Sequence, residues 1–314
     1  MRVVLLGPQR RPTVDAVVRS LGVSGPVATV TAGWQEREPD DAELSALVSA
    51  GHNGGHAVNL SLYGRWLDVQ DRDPEYVAGT RRLDGIVTEL QDLYLLRLDY
   101  ALRAVYALQR RSAREGGDGL RSEAMSRAVG AVRELDAAHL RQVNEARLEF
   151  FDRLRPHDRP VIAEHRAAVS AVLAEAAALV VAGGHVGVLA EVLHLFNVAA
   201  ALNGAPVIAW SAGAMALTDR IVLFHDRAPQ GPGHPEVYGS GLSVVRGGVL
   251  LPHARARLLL GDTARMAIFA RRFAPARCVL LEAGTRVEAG RDGAWPAGTR
   301  VLGEDGHVTA LAAA

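Results

Sequence analysis

The residue best placed to attack a carbonyl in this chain of 314 residues is Ser211. Val207-Ile208-Ala209 reads as a short buried strand, and Trp210 leads from it into the serine. Small residues follow, Ala212, Gly213 and Ala214, and then the apolar Met215-Ala216-Leu217. Strand, serine, small residues, helix is the layout of a nucleophile elbow, whose sharp turn lifts the hydroxyl out of the sheet. Small neighbours are required because the turn brings two backbones close together. The helix would point its first amides at the place where an oxyanion develops. Ala209 stands where a G-x-S-x-G motif has its first glycine. The competing reading is a serine in an ordinary strand-to-helix turn.

A serine nucleophile needs a base within hydrogen-bond reach and an acid to hold that base. Of eleven histidines, His253 stands out because it ends the apolar run Gly248 to Leu251, where loops gather over a doubly wound sheet. His225 and His234 compete with it, whereas His139, His157 and His165 lie on helices or their flanks and read as surface residues. Gly183-Gly184-His185 follows the strand Ala178 to Ala182 and presents free backbone amides. It is either the second half of an oxyanion hole or a plain turn from strand to helix. His52 and His56 are separated by glycines, with no carboxylate or cysteine at ligand spacing, so this stretch reads as a solvated loop and no metal is expected. Cys278 sits in Cys278-Val-Leu-Leu281 and reads as a buried thiol.

These residues must be positioned by an α/β body. Val3 to Gly7 and Pro26 to Thr31 read as strands, with helices at Thr13 to Leu21 and, capped by Asp40-Asp41, at Ala42 to Ser49. Val58 to Leu62 is a third candidate strand. After Pro156 the alternation resumes with helices at Val161 to Ala177 and Val188 to Leu202. Strands follow at Ile221 to Phe224, Leu242 to Val245, Gly248 to Leu251 and Cys278 to Leu281, with a Gly/Pro loop at 229–241 and a helix at Arg265 to Phe273. The segments 285–287, 299–302 and 307–311 read as a closing β meander. Such alternation predicts an α/β fold with a doubly wound, mostly parallel sheet.

Residues 63–156 differ in kind. Leu83, Ile86, Leu90, Leu93, Leu98, Leu102 and Val105 keep helical spacing, Glu115-Gly-Gly-Asp-Gly119 breaks it, and a second long helix runs from Glu123 to Leu154. This predicts an inserted α-helical hairpin, either a lid or an oligomer interface, between the two parts of a body formed by residues 1–62 and 157–314. Its aromatic pairs, Tyr94 with Tyr100 and Phe150 with Phe151, suit packing or a homodimer seam better than a ligand box.

Lys and Arg number 35 and so do Asp and Glu, so no net charge favours nucleic acid or an anionic membrane as partner. The longest apolar stretch, Ala167 to Ala182, is interrupted by Glu175, and the first residues lack the apolar core of a signal peptide; a cytoplasmic location is the expectation. No motif calls for a cofactor.

Four segments together resemble the serine peptidases that include peptidase E and cyanophycinase, whose fold is like that of class I glutamine amidotransferases. Val180-Val-Ala-Gly-Gly-His185 is similar to the family's glycine-rich strand end, where Asn or Asp usually replaces the histidine. Ala209-Trp-Ser-Ala-Gly-Ala214 is similar to the peptidase E elbow. Leu250-Leu-Pro-His253, with Arg255 and Arg257, resembles the cyanophycinase histidine segment, and Val279-Leu-Leu-Glu282-Ala-Gly-Thr285 resembles its acid segment. The resemblance implies Ser211 as nucleophile, His253 as base and then acid, and the amides of Gly184 and Ala212 as oxyanion hole. It implies Glu282 as triad acid by the cyanophycinase pattern, or Asp226 by the peptidase E pattern, with His185, Trp210 and Arg257 at the substrate pocket. The implied activity is hydrolysis of a peptide or small amide through an acyl-enzyme. The alternative is a non-catalytic scaffold that keeps this fold and binds partners through its hairpin.

Overall fold

The first strand, β1 (Val3–Leu6), is buried along its whole length, with Val3 and Leu5 in one apolar layer and Val4 and Leu6 in another. A strand buried on both faces belongs inside a parallel sheet covered by helices on each side. The computed structural model describes residues 1–51, 55–227, 233–290 and 293–313 and has this arrangement. After β1 come α1 (Val14–Leu21), β2 (Val27–Val30), α2 (Ala42–Ala50), β3 (Ala57–Asn59) and α3 (Leu62–Arg72). The long helices α4 (Pro74–Arg110) and α5 (Asp118–Leu154) follow, then α6 (Pro160–Glu175), β4 (Ala178–Val181), α7 (Val186–Leu195) and α8 (Val198–Ala201). Next are β5 (Val207–Trp210), α9 (Ala212–Ala216), β6 (Ile221–Leu223), β7 (Glu236–Gly239), β8 (Gly248–Pro252) and α10 (Ala254–Arg257). The chain closes with α11 (Thr263–Phe273), β9 (Arg277–Leu281), β10 (Arg286–Ala289), β11 (Arg300–Leu302) and β12 (Val308–Ala310).

Five parallel strands form most of a sheet ordered β10-β1-β5-β4-β2-β3, with β10 antiparallel at one edge. Val14, Val17 and Val18 of α1 and Leu44 and Val48 of α2 cover one face, and Leu189 and Leu193 of α7 belong to the layer on the other. A second sheet, β12-β11-β9-β8, carries the C-terminal half, with β8 and β9 parallel and the other pairs antiparallel. The fold is thus mixed α/β around a mostly parallel sheet.

α4 and α5 form an antiparallel hairpin that buries Leu98, Leu102 and Val105 against Val129, Val132 and Leu135. Asp73 starts α4 by accepting the Tyr76 N–H (3.0 Å), with Pro74 at the first helical position, where a missing N–H costs nothing. The same carboxylate accepts from Arg159 Nη2 (2.6 Å), which ties the two ends of the hairpin together. A polar cluster joins the hairpin to the body. Arg272 of α11 donates from Nε and Nη2 to Asp136 of α5, each at 2.7 Å, and from Nη1 to the Pro235 carbonyl (2.6 Å). Tyr94 of α4 completes it, donating to Asp136 at 2.9 Å and accepting from Arg272 at 2.9 Å.

Several sequence expectations need correction. Residues 242–245 form no strand; Val245 makes only an isolated bridge to Thr218, because Ser243 turns the chain with a φ of 54°. Part of the Gly/Pro loop is instead β7, paired with β6; its residues 229–232, and His52 in the earlier loop, lie outside the described residues. The closing meander is split, since β10 crosses to pair with β1 while β11 and β12 extend β9. The helix expected at 188–202 breaks at Asn197, whose φ is 54°. Asp41 occupies the position before α2, but its carboxylate accepts from Asn59 Nδ2 (2.8 Å) instead of capping the helix. His139 and His165 are buried, not surface residues, because each has polar partners. His139 Nε2 lies 2.7 Å from Gln91 Oε1 with its ring stacked on Tyr94, and His165 bridges Arg65 and Asp68. His157 is exposed as expected.

Candidate active site

The backbone at Ser211 is unusual, in a conformation it shares with Gln35 in the segment after β2. Between β5 and α9 the serine has φ 52° and ψ −124°, a combination that few non-glycine residues adopt. Strain of this kind costs of order 1–3 kcal/mol and persists where the surroundings enforce it. Two glycines enforce it here. A side chain at Gly183 would place its Cβ 2.9 Å from the Ser211 Cβ, and one at Gly213 would come within 2.5 Å of the Ala182 carbonyl oxygen. The elbow can therefore close only because both positions lack a side chain.

Gly183 begins the turn after β4. Gly184 has φ 133° and lies so close to Gly33 that a Cβ would sit 2.2 Å from its carbonyl oxygen. The next amide, that of His185, donates to the Gly33 carbonyl (2.7 Å), which pins the turn to the segment after β2. Among the described residues, neither the Gly184 N–H nor the Ala212 N–H has a hydrogen-bond acceptor. The imidazole of His185 turns onto its own helix and accepts the Val188 N–H at 3.2 Å.

His253 follows β8 in a left-handed conformation (φ 55°, ψ 32°) and starts α10; its N–H donates to the Leu281 carbonyl (3.2 Å). Glu282 is one residue beyond that carbonyl. Its Oε1 accepts the Arg255 N–H (2.7 Å), and its backbone is locked to Thr285 by two hydrogen bonds. Gly7, at the end of β1, abuts this turn so tightly that a Cβ would lie 1.7 Å from the Glu282 carbonyl oxygen. β1 pairs with β5, with Leu6 opposite Trp210, so the Glu282 turn and Ser211 lie at the same edge of the sheet. Burial holds the His253 imidazole below its ordinary range, helped by Arg257 and Arg10 and opposed by Glu282. Among the described residues, no hydrogen bond joins Ser211, His253 and Glu282 side chain to side chain.

Asp226 is otherwise employed. It is buried, accepts from Arg265 Nη2 (2.6 Å) and the Leu259 N–H (3.0 Å), and its own N–H donates to the Arg257 carbonyl. It buttresses the chain that leads away from His253. His225 is exposed, and His234 pairs with Asp99 of α4 at 3.4 Å.

The three residues expected at a substrate pocket do not share one. Trp210 lines a cavity of about 370 Å³ on the α1 and α2 face, with Trp34 and Gln9. Arg257 lies over the Phe224 ring, 5.9 Å from its centre. His185 opens on a larger cavity of about 560 Å³, walled by the hairpin and α7. Arg147, Glu191 and Asp84 share that cavity, and sequence reasoning missed all three. Nothing in their spacing along three different helices brings them together. Burial pushes the Cys278 thiol up to about 12, as suits an inert core residue. Among the described residues no group of three metal-ligating side chains occurs, and no helix is long and apolar enough to cross a membrane.

No family model matches the chain, and no curated protein matches it. Among solved structures, a peptidase from an acI-B1 actinobacterium is similar with a TM-score of 0.46 and 13% identity, over 99% of this chain and 94% of that one.

Proposed function

We propose that this protein is a serine hydrolase that cleaves a peptide or small amide bond through an acyl-enzyme, on an amidotransferase-like body with residues 63–156 inserted as a helical hairpin. The observation that carries the reading is the strained Ser211 turn, held by two glycines and flanked by unpaired amides. Ser211 Oγ adds to the carbonyl carbon while His253 takes its proton. The oxyanion is received by the N–H groups of Gly184 and Ala212. The C–N bond then breaks, the amine leaves with the proton from His253, and water attacks the ester with His253 again as base. A neutral imidazole is the form that can act as base, and the lowered His253 supports that role. Glu282 favours the imidazolium by its charge, whereas Asp226 is neutralised by Arg265, so Glu282 is the acid in this scheme. Catalytic hydrogen bonds are commonly loose before substrate binds, and the proposal requires the His253 ring to close onto Ser211 on binding.

The test is a fluorophosphonate probe together with a panel of dipeptide anilides. Wild type should be labelled at Ser211, and Ser211→Ala should lose both labelling and turnover, the latter on the order of a million-fold. An unlabelled wild type, or equal turnover by the variant, would leave the scaffold reading, which the lack of a hydrogen-bonded triad among the described residues favours.

The hairpin is the proposed seam of a homodimer. Ile86, Leu93 and Tyr100 are exposed at intervals of seven residues, with Leu96 three beyond Leu93 (57% exposed). This is the spacing of a two-helix seam. Glu89 and Asp92 flank its N-terminal half and Arg97 and Arg103 its C-terminal half, so a second copy laid antiparallel about Leu93 sets acid against base.

A further inference from the structure

Arg147 of α5 is a half-buried arginine with no carboxylate against it among the described residues, a state it shares with Arg257, which instead lies over the Phe224 ring. Arg159, Arg265 and Arg272 each hold a carboxylate within 2.9 Å. Among the described residues Arg147 makes neither a hydrogen bond nor an ion pair, although burial presses its charge toward the neutral form. Its guanidinium lies across Gly239, where a Cβ would come 3.6 Å from its nitrogens, at the wall of the 560 Å³ cavity. A cation removed from water without a partner is costly, and an incoming anion would relieve it.

The rest of the wall says what else that anion carries. Glu191 and Asp84 also line the cavity, and both act electrostatically on Arg147 without touching it. Glu191 has one oxygen on Trp66 Nε1 (2.8 Å) and keeps much of its surface open to the cavity. Enclosure by the surrounding protein raises both carboxyls. A plain anion would be repelled by these two groups, and a plain cation by Arg147. Leu83, Val87, Leu148 and Phe151 of the hairpin add an apolar part to the same wall. The volume lies inside the range of about 300–1,000 Å³ usual for small-molecule sites. Gly187 has no side chain, and the Tyr238 hydroxyl fills its place, 2.5 Å from where a Cβ would be, adding a polar group to the rim.

We infer that this cavity binds an α-amino-acid unit with an apolar side chain, its carboxylate on Arg147, its ammonium beside Glu191 and Asp84, and its side chain over the hairpin's apolar wall. The cavity is bounded at one end by His185, one residue beyond Gly184. The inference concerns binding alone and stands whether or not Ser211 is a nucleophile.

Calorimetric titration of the full chain with three probes tests it: L-phenylalanine, phenethylamine without the carboxylate, and 3-phenylpropanoate without the ammonium. L-phenylalanine should bind at least roughly tenfold more tightly than either truncated probe, the loss expected when one charge-assisted contact is removed. Arg147→Met should weaken L-phenylalanine by roughly tenfold or more and leave phenethylamine unchanged, while Arg147→Lys should retain part of the affinity. Equal binding of 3-phenylpropanoate and L-phenylalanine would overturn the ammonium half, and unchanged binding by Arg147→Met the carboxylate half. No binding of L-phenylalanine at millimolar concentration would overturn the whole. If Arg147→Met fails to fold, the comparison of the three probes on wild type decides alone.

Discussion

Removing Arg272 should loosen the hairpin from the body, because this one side chain bonds to both helices and to the loop before β7. In Arg272→Met, Asp136 loses two donors at 2.7 Å and keeps only the Tyr94 hydroxyl, while the Pro235 carbonyl loses its donor at 2.6 Å. Both charged side chains are nearly fully buried, with exposures of 2% and 4%, so the stranded carboxylate cannot be rehydrated without opening the packing. Breaking such a pair from one side costs about 3–5 kcal/mol. Urea unfolding should show a loss of that size, and limited proteolysis should cut first at the hairpin turn near Gly116. The double variant Arg272→Met with Asp136→Leu removes both charges, and it should recover most of the loss because an apolar pair of similar volume needs no solvation. A single variant that loses less than about 1 kcal/mol, or a double variant less stable than the single, would refute the reasoning.

Gly183→Ala should slow fluorophosphonate labelling on the order of tenfold or more, since its Cβ would press on Ser211 at 2.9 Å and misplace the hydroxyl; an unchanged rate would show that the elbow does not depend on this contact. Turnover should rise with pH through a midpoint below the ordinary histidine value of about 6.5, because the base must be unprotonated and His253 is held low. Arg257→Gln removes a cation that holds it there, so the midpoint should move upward in a pH–rate profile; a downward move would exclude His253 as the base. The same depression means that the unfolded chain binds more protons at this histidine, so its contribution to stability falls as pH drops through about 6.5 and below. Leu93→Glu should convert a dimer to a monomer in light scattering, and a wild-type monomer would dispose of the proposed seam.

The Ser211 turn could be read locally because everything it needs lies within a few residues: a buried strand, the serine and the small residues that follow. The glycines after β4 were equally visible, but nothing in the sequence says that Gly183 faces Ser211 and Gly184 faces Gly33. The difference between the two candidate carboxylates was less accessible. Asp226 and Glu282 both fit a pattern, and what separates them is Arg265, a partner 39 residues from Asp226 that spacing alone does not reveal. β10 shows the alternation of a strand with one wet face, yet its partner β1 is at the opposite end of the chain, so a local reading assigned it to its neighbours. His139 was misplaced because a polar side chain on a charged helix reads as solvated until Gln91 and Tyr94 are seen to satisfy it.

The clasp between Asp73 and Arg159 also bears on how the chain reaches this structure. The partners β2 and β4 are separated by the whole hairpin, and such distant pairings make folding slow. α4 and α5 can zip together from their own turn, since their contacts are mutual and need nothing from the sheet. Once the clasp closes, the loop between β2 and β4 shrinks from roughly 150 residues to roughly 60, which lowers its closure entropy by about 0.8 kcal/mol. The hairpin then acts as a staple that forms early and hands the two halves of the sheet to each other.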